Sequence, residues 1–234
     1  MMALYYASYG EATKPNAFKT EEEIQYDIKK MGMTVGQATI AYSGLVDVQL
    51  GNDQVGQRIV ITFTAKAMNF YDREMIYLDP ETYYPATITR DLNLWGKKER
   101  ITESYDQKKG YVKVTKVAQG KQTEKVIEKK EMLDNIYGFI YRYRREGTFE
   151  KGQTLKLNLP TKDVAILLVK TVEVEAADQT FEAYYMESVP KQYRIWFDQS
   201  SQKVPLRIDG AVGFGKTSLV LKGYSHTDGF TILD

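Results

Sequence analysis

From about Glu23 onward, apolar residues along this chain recur at every second position. Ile24, Tyr26 and Ile28 alternate with Gln25, Asp27 and Lys29, and Ile59, Ile61 and Phe63 are interleaved with Arg58, Val60, Thr62 and Thr64. A period of two sends alternate side chains to opposite faces of a pleated strand, so each run predicts a strand with one face on a core. The pattern returns at 88–92, 111–117, 155–159, 172–175, 181–186 and 193–197. Between the runs stand turn signals at 31–36, Gly51-Asn52-Asp53, Asp79-Pro80, 108–110, Gln119-Gly120-Lys121 and 198–201, which predict hairpins between sequence neighbours. About a dozen strands at this spacing predict a mainly β fold. Its expected form is an antiparallel meander curved into a half-barrel, a barrel or a barrel-like sandwich, because an open sheet that long curls. One segment breaks the rhythm: Ile136, Phe139, Ile140 and Tyr143 follow the i, i+3, i+4, i+7 spacing of an amphipathic helix. It predicts one helix over about 134–146, capped by Asp134 and ended by Gly147. Such a helix plugs a barrel end or covers an open face.

No repeat, low-complexity tract or linker interrupts the chain between Glu23 and Tyr224, so residues 21–234 read as one β-rich domain. Residues 1–20 read as an unstructured arm or a signal remnant. The opening Met1–Ala12 is uncharged until Glu11 and ends in small residues like the tail of an export signal, although it lacks a basic start. No apolar run approaches the roughly 20 residues that cross a bilayer as a helix, so no transmembrane segment is predicted.

Composition removes several function classes. The 234 residues suffice to bury a sizeable core. Their 32 Lys and Arg against 31 Asp and Glu leave a net charge of +1, without the general attraction for phosphate backbones that nucleic-acid binding uses. With no cysteine and a single histidine, thiolate chemistry and zinc–thiolate sites drop out and little is left for a transition metal. No metal and no cofactor is expected.

Several motifs suggest chemistry and have plainer readings. Residues 210–217 match the phosphate-loop pattern GxxxxGK[ST] letter for letter. That loop works between a buried parallel strand and a helix N-terminus, whereas Ser218-Leu219-Val220-Leu221 continues as a strand, so the match reads as a β-turn. Ser225, His226 and Asp228 hold the letters of a hydrolase triad, but triad members meet in space from separate elements. Glu173, Glu175 and Glu182 form no more than the wet face of strands, and Gly51-Asn52-Asp53 is too short for a calcium loop. Arg142, Arg144 and Arg145 read as the basic last turn that a helix dipole favours. No catalytic residue is assigned and a non-enzymatic protein is expected.

The aromatic content is the strongest remaining signal: 18 Tyr, 9 Phe and 2 Trp. In Tyr193-Arg194-Ile195-Trp196-Phe197 the tryptophan stands where a polar residue should, and Phe181, Tyr184 and Tyr185 break their run in the same way. Apolar groups on both faces mean two-sided packing or a ligand held in a curved sheet. Trp196, Tyr185, Phe181 and Phe63 are accordingly the candidate ligand-binding residues, for a lipid or another hydrophobic small molecule in an apolar cavity near Trp196. A structural module that docks onto an envelope protein through a sheet face or edge would instead have a filled interior and an apolar surface patch. A carboxylate hydrolase would need two convergent acids in a cleft.

Read in order, landmarks over about 22–224 resemble those of the bacterial domain-of-unknown-function family number 3108. They are 23–28 with Gly36-Gln37-Ala38, then Tyr77-Leu78-Asp79-Pro80 with Pro85, then the predicted helix with Tyr137 and Arg142. The last are Ile195-Trp196-Phe197-Asp198, Val204-Pro205-Leu206-Arg207-Ile208, and Gly215 before Leu219. The resemblance implies an exported, periplasmic protein of the bacterial envelope with a curved antiparallel sheet and no established activity. It implies a strand-to-strand connection at the false phosphate loop, and the missing cysteine argues against a lipoprotein anchor.

Overall fold

In a computed structural model of the protein, residues 18, 21–49, 54–212 and 216–226 are described, together with the backbone of 229–230. The first wing of the sheet holds β1 (Glu22–Lys30), β2 (Met33–Gln49), β3 (Val55–Ala67), β4 (Phe70–Leu78), β5 (Pro85–Leu94), β6 (Lys97–Asp106), β7 (Tyr111–Ala118) and β8 (Lys121–Glu128). After the helix α1 (Ile136–Glu146) come β9 (Thr154–Leu159), β10 (Lys162–Ala176), β11 (Gln179–Val189), β12 (Arg194–Asp198), β13 (Pro205–Asp209), β14 (Ser218–His226) and β15 (Gly229–Phe230). They form one antiparallel sheet ordered β8 down to β1, then β14 down to β9, with β15 paired to β14. The predicted meander is therefore continuous except where β1 and β14 join, and the sheet is curved but not closed.

Turn chemistry fixes the registers. Met31-Gly32, Trp95-Gly96, Gln119-Gly120 and Ala177-Asp178 each carry two successive positive φ values, the backbone of two-residue turns whose twist matches that of the flanking strands. Register shifts in β1–β2, β2–β3, β4–β5 and β10–β11 bend the sheet as bulges do. The expected turn over 31–36 is shorter than its spacing suggested, and β2 begins at Met33. The signal at 51–53 and the expectation for residues 1–20 lie outside the described residues, except at Phe18. That residue is 3% exposed and packs edge-on against Tyr42 and Tyr141, so the packed domain reaches back at least to residue 18.

The core lies on the concave face. Ile24, Tyr26 and Ile28 of β1, Ile61 and Phe63 of β3, Ile195 and Phe197 of β12, and Leu219 and Leu221 of β14 are all buried there. The helix covers them with Ile136, Phe139, Ile140 and Tyr143, as its periodicity predicts, and also buries Tyr137, Tyr141 and Arg144. Its cap stands one residue later than expected. Asn135 is the cap, its side chain accepting from the backbone N–H groups of Tyr137 and Gly138. Asp134 instead accepts from the Asn158 N–H and pairs with Arg142 at 2.7 Å.

The arginines depart from the sequence reading as well. A helix lying inside a curved sheet has little solvent face, so each guanidinium docks. Arg142 stacks over Tyr84 at 3.9 Å, and Arg145 stacks over Tyr83 at 4.0 Å while donating to the Glu81 carbonyl. Arg144 is fully buried against Glu22, its two terminal nitrogens 2.6 and 2.8 Å from the two carboxylate oxygens. Tyr141 and Tyr224 donate to the same carboxylate at 2.8 and 2.9 Å, and Arg144 also donates to the Gln202 carbonyl. A buried charge pair is tolerated when its remaining donors and acceptors are matched in this way.

Candidate functional site

The inward row of β4 runs Leu78, Ile76, Glu74, Asp72, so the concave face turns from apolar to acidic as it leaves the core. Arg90 of β5 sits directly across from Glu74 and makes a bidentate pair with Asp72, at 2.8 and 2.5 Å, while standing 3.4 Å from Glu74. One strand further, Glu103 of β6 accepts from the Tyr105 hydroxyl. These groups edge a hollow of about 270 Å³ at the N-terminal end of α1. Ile88, Ile101, Ile136 and Tyr137 line it on this side, and Leu159, Lys162, Tyr193 and Ala211 from the opposite wing.

Burial dominates its electrostatics. It pushes the Glu74 carboxyl up to about 7, against the pull of Arg90, and raises Glu103 despite the Tyr105 hydroxyl and Arg90. Asp134 at the margin rises to about 6 for the same reason, opposed by Arg142. The Tyr137 hydroxyl is buried in the wall without a hydrogen-bond partner, and burial holds its pKa far above the ordinary phenol range. A buried hydroxyl without a partner forfeits hydration, a cost that a bound acceptor or donor would remove. The hollow thus offers a phenol, two carboxyls whose pKa values burial raises, and one guanidinium among isoleucine, leucine and tyrosine. Among the described residues no three His, Cys, Asp or Glu side chains are grouped to hold a metal ion.

The four aromatic residues singled out in the sequence do not share one cavity. Phe63 lies on the concave face, its ring stacked on Tyr137 at 4.4 Å, directly behind the hollow. Trp196 is on the opposite face, because its neighbours Ile195 and Phe197 point into the core and Phe197 reaches Tyr143 and Phe149. There Trp196 packs against Tyr185 at 5.0 Å and under the Arg207 guanidinium at 4.8 Å. Arg207 and Arg194 both pair with Asp209. Where an apolar cavity was expected beside Trp196, the ring is covered by ion-paired arginine. Phe181 is half-buried across from Val174, near the tip of the β10–β11 hairpin. Tyr184, grouped with them by its position, faces inward onto Phe149.

The other motifs are also placed. β13 and β14 are antiparallel neighbours with Asp209 opposite Ser218, so the phosphate-loop match spans a strand-to-strand connection, although Gly213, Phe214 and Gly215 lie outside the described residues. Asp228 of the triad letters does too. Glu173 and Glu182 are exposed cross-strand neighbours on β10 and β11. The sequence reading missed Glu74, Arg90, Glu103 and Tyr137 as a group. The available signal was the alternation of β4, which puts Asp72 and Glu74 in register with Ile76 and Leu78.

The family DUF3108, described as a protein of unknown function, matches residues 25–222. The chain belongs to that family. The match runs from within β1 to within β14 and takes in all the strands between them. Among solved structures, the chain is similar to a β-barrel-like protein of the domain of unknown function DUF1849 from Brucella abortus. The TM-score is 0.50 at 10% identity, over 89% of this chain and 98% of that one, a likeness of fold alone. No curated protein matches the chain. The family therefore confirms the resemblance seen in the sequence, and the neighbour confirms a barrel-like antiparallel architecture.

Proposed function

We propose that this chain is a non-enzymatic protein of the bacterial envelope that binds one small amphiphile in the hollow at the N-terminus of α1. The observation that carries the reading is the unpartnered Tyr137 hydroxyl, buried beside Glu74 in a hollow that sets Arg90 and Glu103 against Ile88, Ile101, Ile136 and Leu159. A ligand polar group meeting Tyr137, Glu74 and Arg90 would complete their hydrogen bonds, and its apolar part would lie against Ile101, Ile136 and Leu159. At about 30 Å³ per water the volume equals about nine waters, just below the usual range for small-molecule sites. A short amphiphile, or the head of a larger one, suits that space better than a whole lipid. Placement in the envelope, periplasmic in particular, follows what the family resemblance implies.

The test is native mass spectrometry of the full chain purified from bacterial envelope extract, with organic extraction of anything bound. The expected result is a reproducible small adduct whose occupancy falls in Glu74→Gln and Tyr137→Phe and persists in Trp196→Ala. An adduct lost only in Trp196→Ala would move the site to the outer face. A clean apo mass, with no thermal shift on adding back the extract, would overturn the binding reading.

A further inference from the structure

Because adjacent strands run antiparallel in unbroken order, the β1–β2, β3–β4, β5–β6 and β7–β8 connections all lie along one rim of the first wing. With strands about 4.8 Å apart, the four tips span about 29 Å. Four of the five most exposed large apolar side chains among the described residues sit there: Met31 at 91%, Met68 at 80%, Met33 at 67% and Trp95 at 64%. The β3–β4 and β5–β6 tips are tied together, the Trp95 N–H donating to the Asn69 carbonyl at 2.8 Å. The backbone makes these residues stand out further. Met31 and Trp95 occupy the first position of their turns at φ 51° and 53°, the left-handed conformation that two-residue turns normally give to Asn, Asp or Gly. Bulky apolar residues are thus held where the local backbone disfavours them and where they cover little of the protein itself.

Charge accompanies them. The tip segments 29–34, 66–71, 93–98 and 118–121 contain Lys29, Lys30, Lys66, Lys97, Lys98 and Lys121 and no Asp or Glu. At the other ends of these strands the β4–β5 connection carries Asp79 and Glu81, while the β6–β7 connection carries Lys108 and Lys109 next to Asp106. Lys29 is shared with Asp27 at 3.5 Å, so the tip rim is set apart by lysines that accompany exposed methionine and tryptophan with no acid inside the tip segments. Apolar tips ringed by lysine, with a tryptophan at the boundary, are the surface that a bilayer interface with anionic headgroups accepts. We propose that this rim docks onto an anionic phospholipid surface, with Met31, Met33, Met68 and Trp95 entering the headgroup–acyl boundary and the lysines meeting lipid phosphates. The proposal does not rest on the hollow.

The test uses the full chain with Trp196→Phe, which leaves Trp95 as the single tryptophan, and vesicles of phosphatidylglycerol and phosphatidylcholine mixed about 1:2 to give a negative surface potential. The expected result is co-sedimentation with these vesicles and a blue shift of Trp95 emission. Lys97→Gln/Lys98→Gln should weaken binding roughly 25-fold, about fivefold for each lysine, and Met68→Ser/Trp95→Ser about tenfold or more. Val55→Ser, at the opposite rim, and Glu74→Gln, in the hollow, should leave it unchanged. These residues are surface-exposed except Glu74, and circular dichroism checks that each variant is folded. Absence of binding, unchanged Trp95 emission, equal binding to pure phosphatidylcholine vesicles, or full binding by the Met68/Trp95 variant would each overturn the proposal.

Discussion

Glu74→Gln is predicted to stabilise the protein at neutral and alkaline pH and to change it little in acid. The folded state holds the Glu74 carboxyl at about 7, chiefly because burial penalises its charge, while the unfolded chain releases the proton near 4.3. Between these values the folded protein binds more protons than the unfolded one, so stability falls as pH rises through the window. At 1.36 kcal/mol per pKa unit the accumulated loss is about 3.5 kcal/mol by pH 8. Glutamine resembles the protonated acid in shape, still accepts from Asn135, and leaves Arg90 its bidentate pair with Asp72. The variant escapes the titration. For a chain of this size about 3.5 kcal/mol corresponds to roughly 7–14 °C in Tm. The assay is thermal or urea unfolding of both proteins at half-unit steps from about pH 4 to 8, the window set by the two pKa values. Asp134, raised to about 6, tilts both curves in the same direction and cancels in their difference. Parallel pH dependences for the two proteins would refute a strongly raised Glu74, and with it the view of the hollow as a desolvated acidic pocket.

Arg144→Met should cost about 3–5 kcal/mol, because it leaves the Glu22 carboxylate buried without its cation. Adding Glu22→Gln, which keeps an acceptor for Tyr141 and Tyr224, should recover part of that loss in urea unfolding; a double variant as unstable as the sum of the singles would contradict the pairing. Tyr224→Phe should cost about 1.5–3 kcal/mol by removing a hydrogen bond to a charged group, whereas Tyr137→Phe should be neutral or slightly stabilising, since its hydroxyl has no partner in the protein. The same unfolding measurements decide between these, and a reversed order would sink both assignments.

The strands were legible because a half-buried sheet writes its burial into every second residue, and β1 and β3 do so plainly. The strands less visible were those whose inward rows are charged or whose two faces are both wet. β8 is exposed along almost its whole length, and β4 alternates into Asp72 and Glu74. The same physics hid the site. Period-two reading treats an acid as a marker of the outer face, so Glu22 and Glu74, both in register with buried isoleucines, were passed over. The aromatic residues are dispersed for the converse reason: Trp196, read in the sequence as a cavity lining, stands on an outer face, where paired arginines cover its indole. For α1 the periodicity found the core face. It could not show that the helix lies within the curve of the sheet, where Arg144 is as buried as Ile140.

That enclosure links the fold to both proposals. An 11-residue helix is about 16 Å long, too short to fill the concave face from end to end, and beyond its capped N-terminus the two wings are left facing each other across the hollow. Along β5, Arg90 at the hollow and Leu94 at the rim are four residues apart, about 13 Å at strand rise. A rim seated on a bilayer would therefore hold the hollow within about half the thickness of the hydrocarbon core from the lipid surface, near enough for a short amphiphile to pass between them without the protein unfolding any strand. Glu74 lies inside and Trp95 at the tip, so substitution at one leaves the chemistry of the other intact, and ligand loss and vesicle release can be measured as separate events.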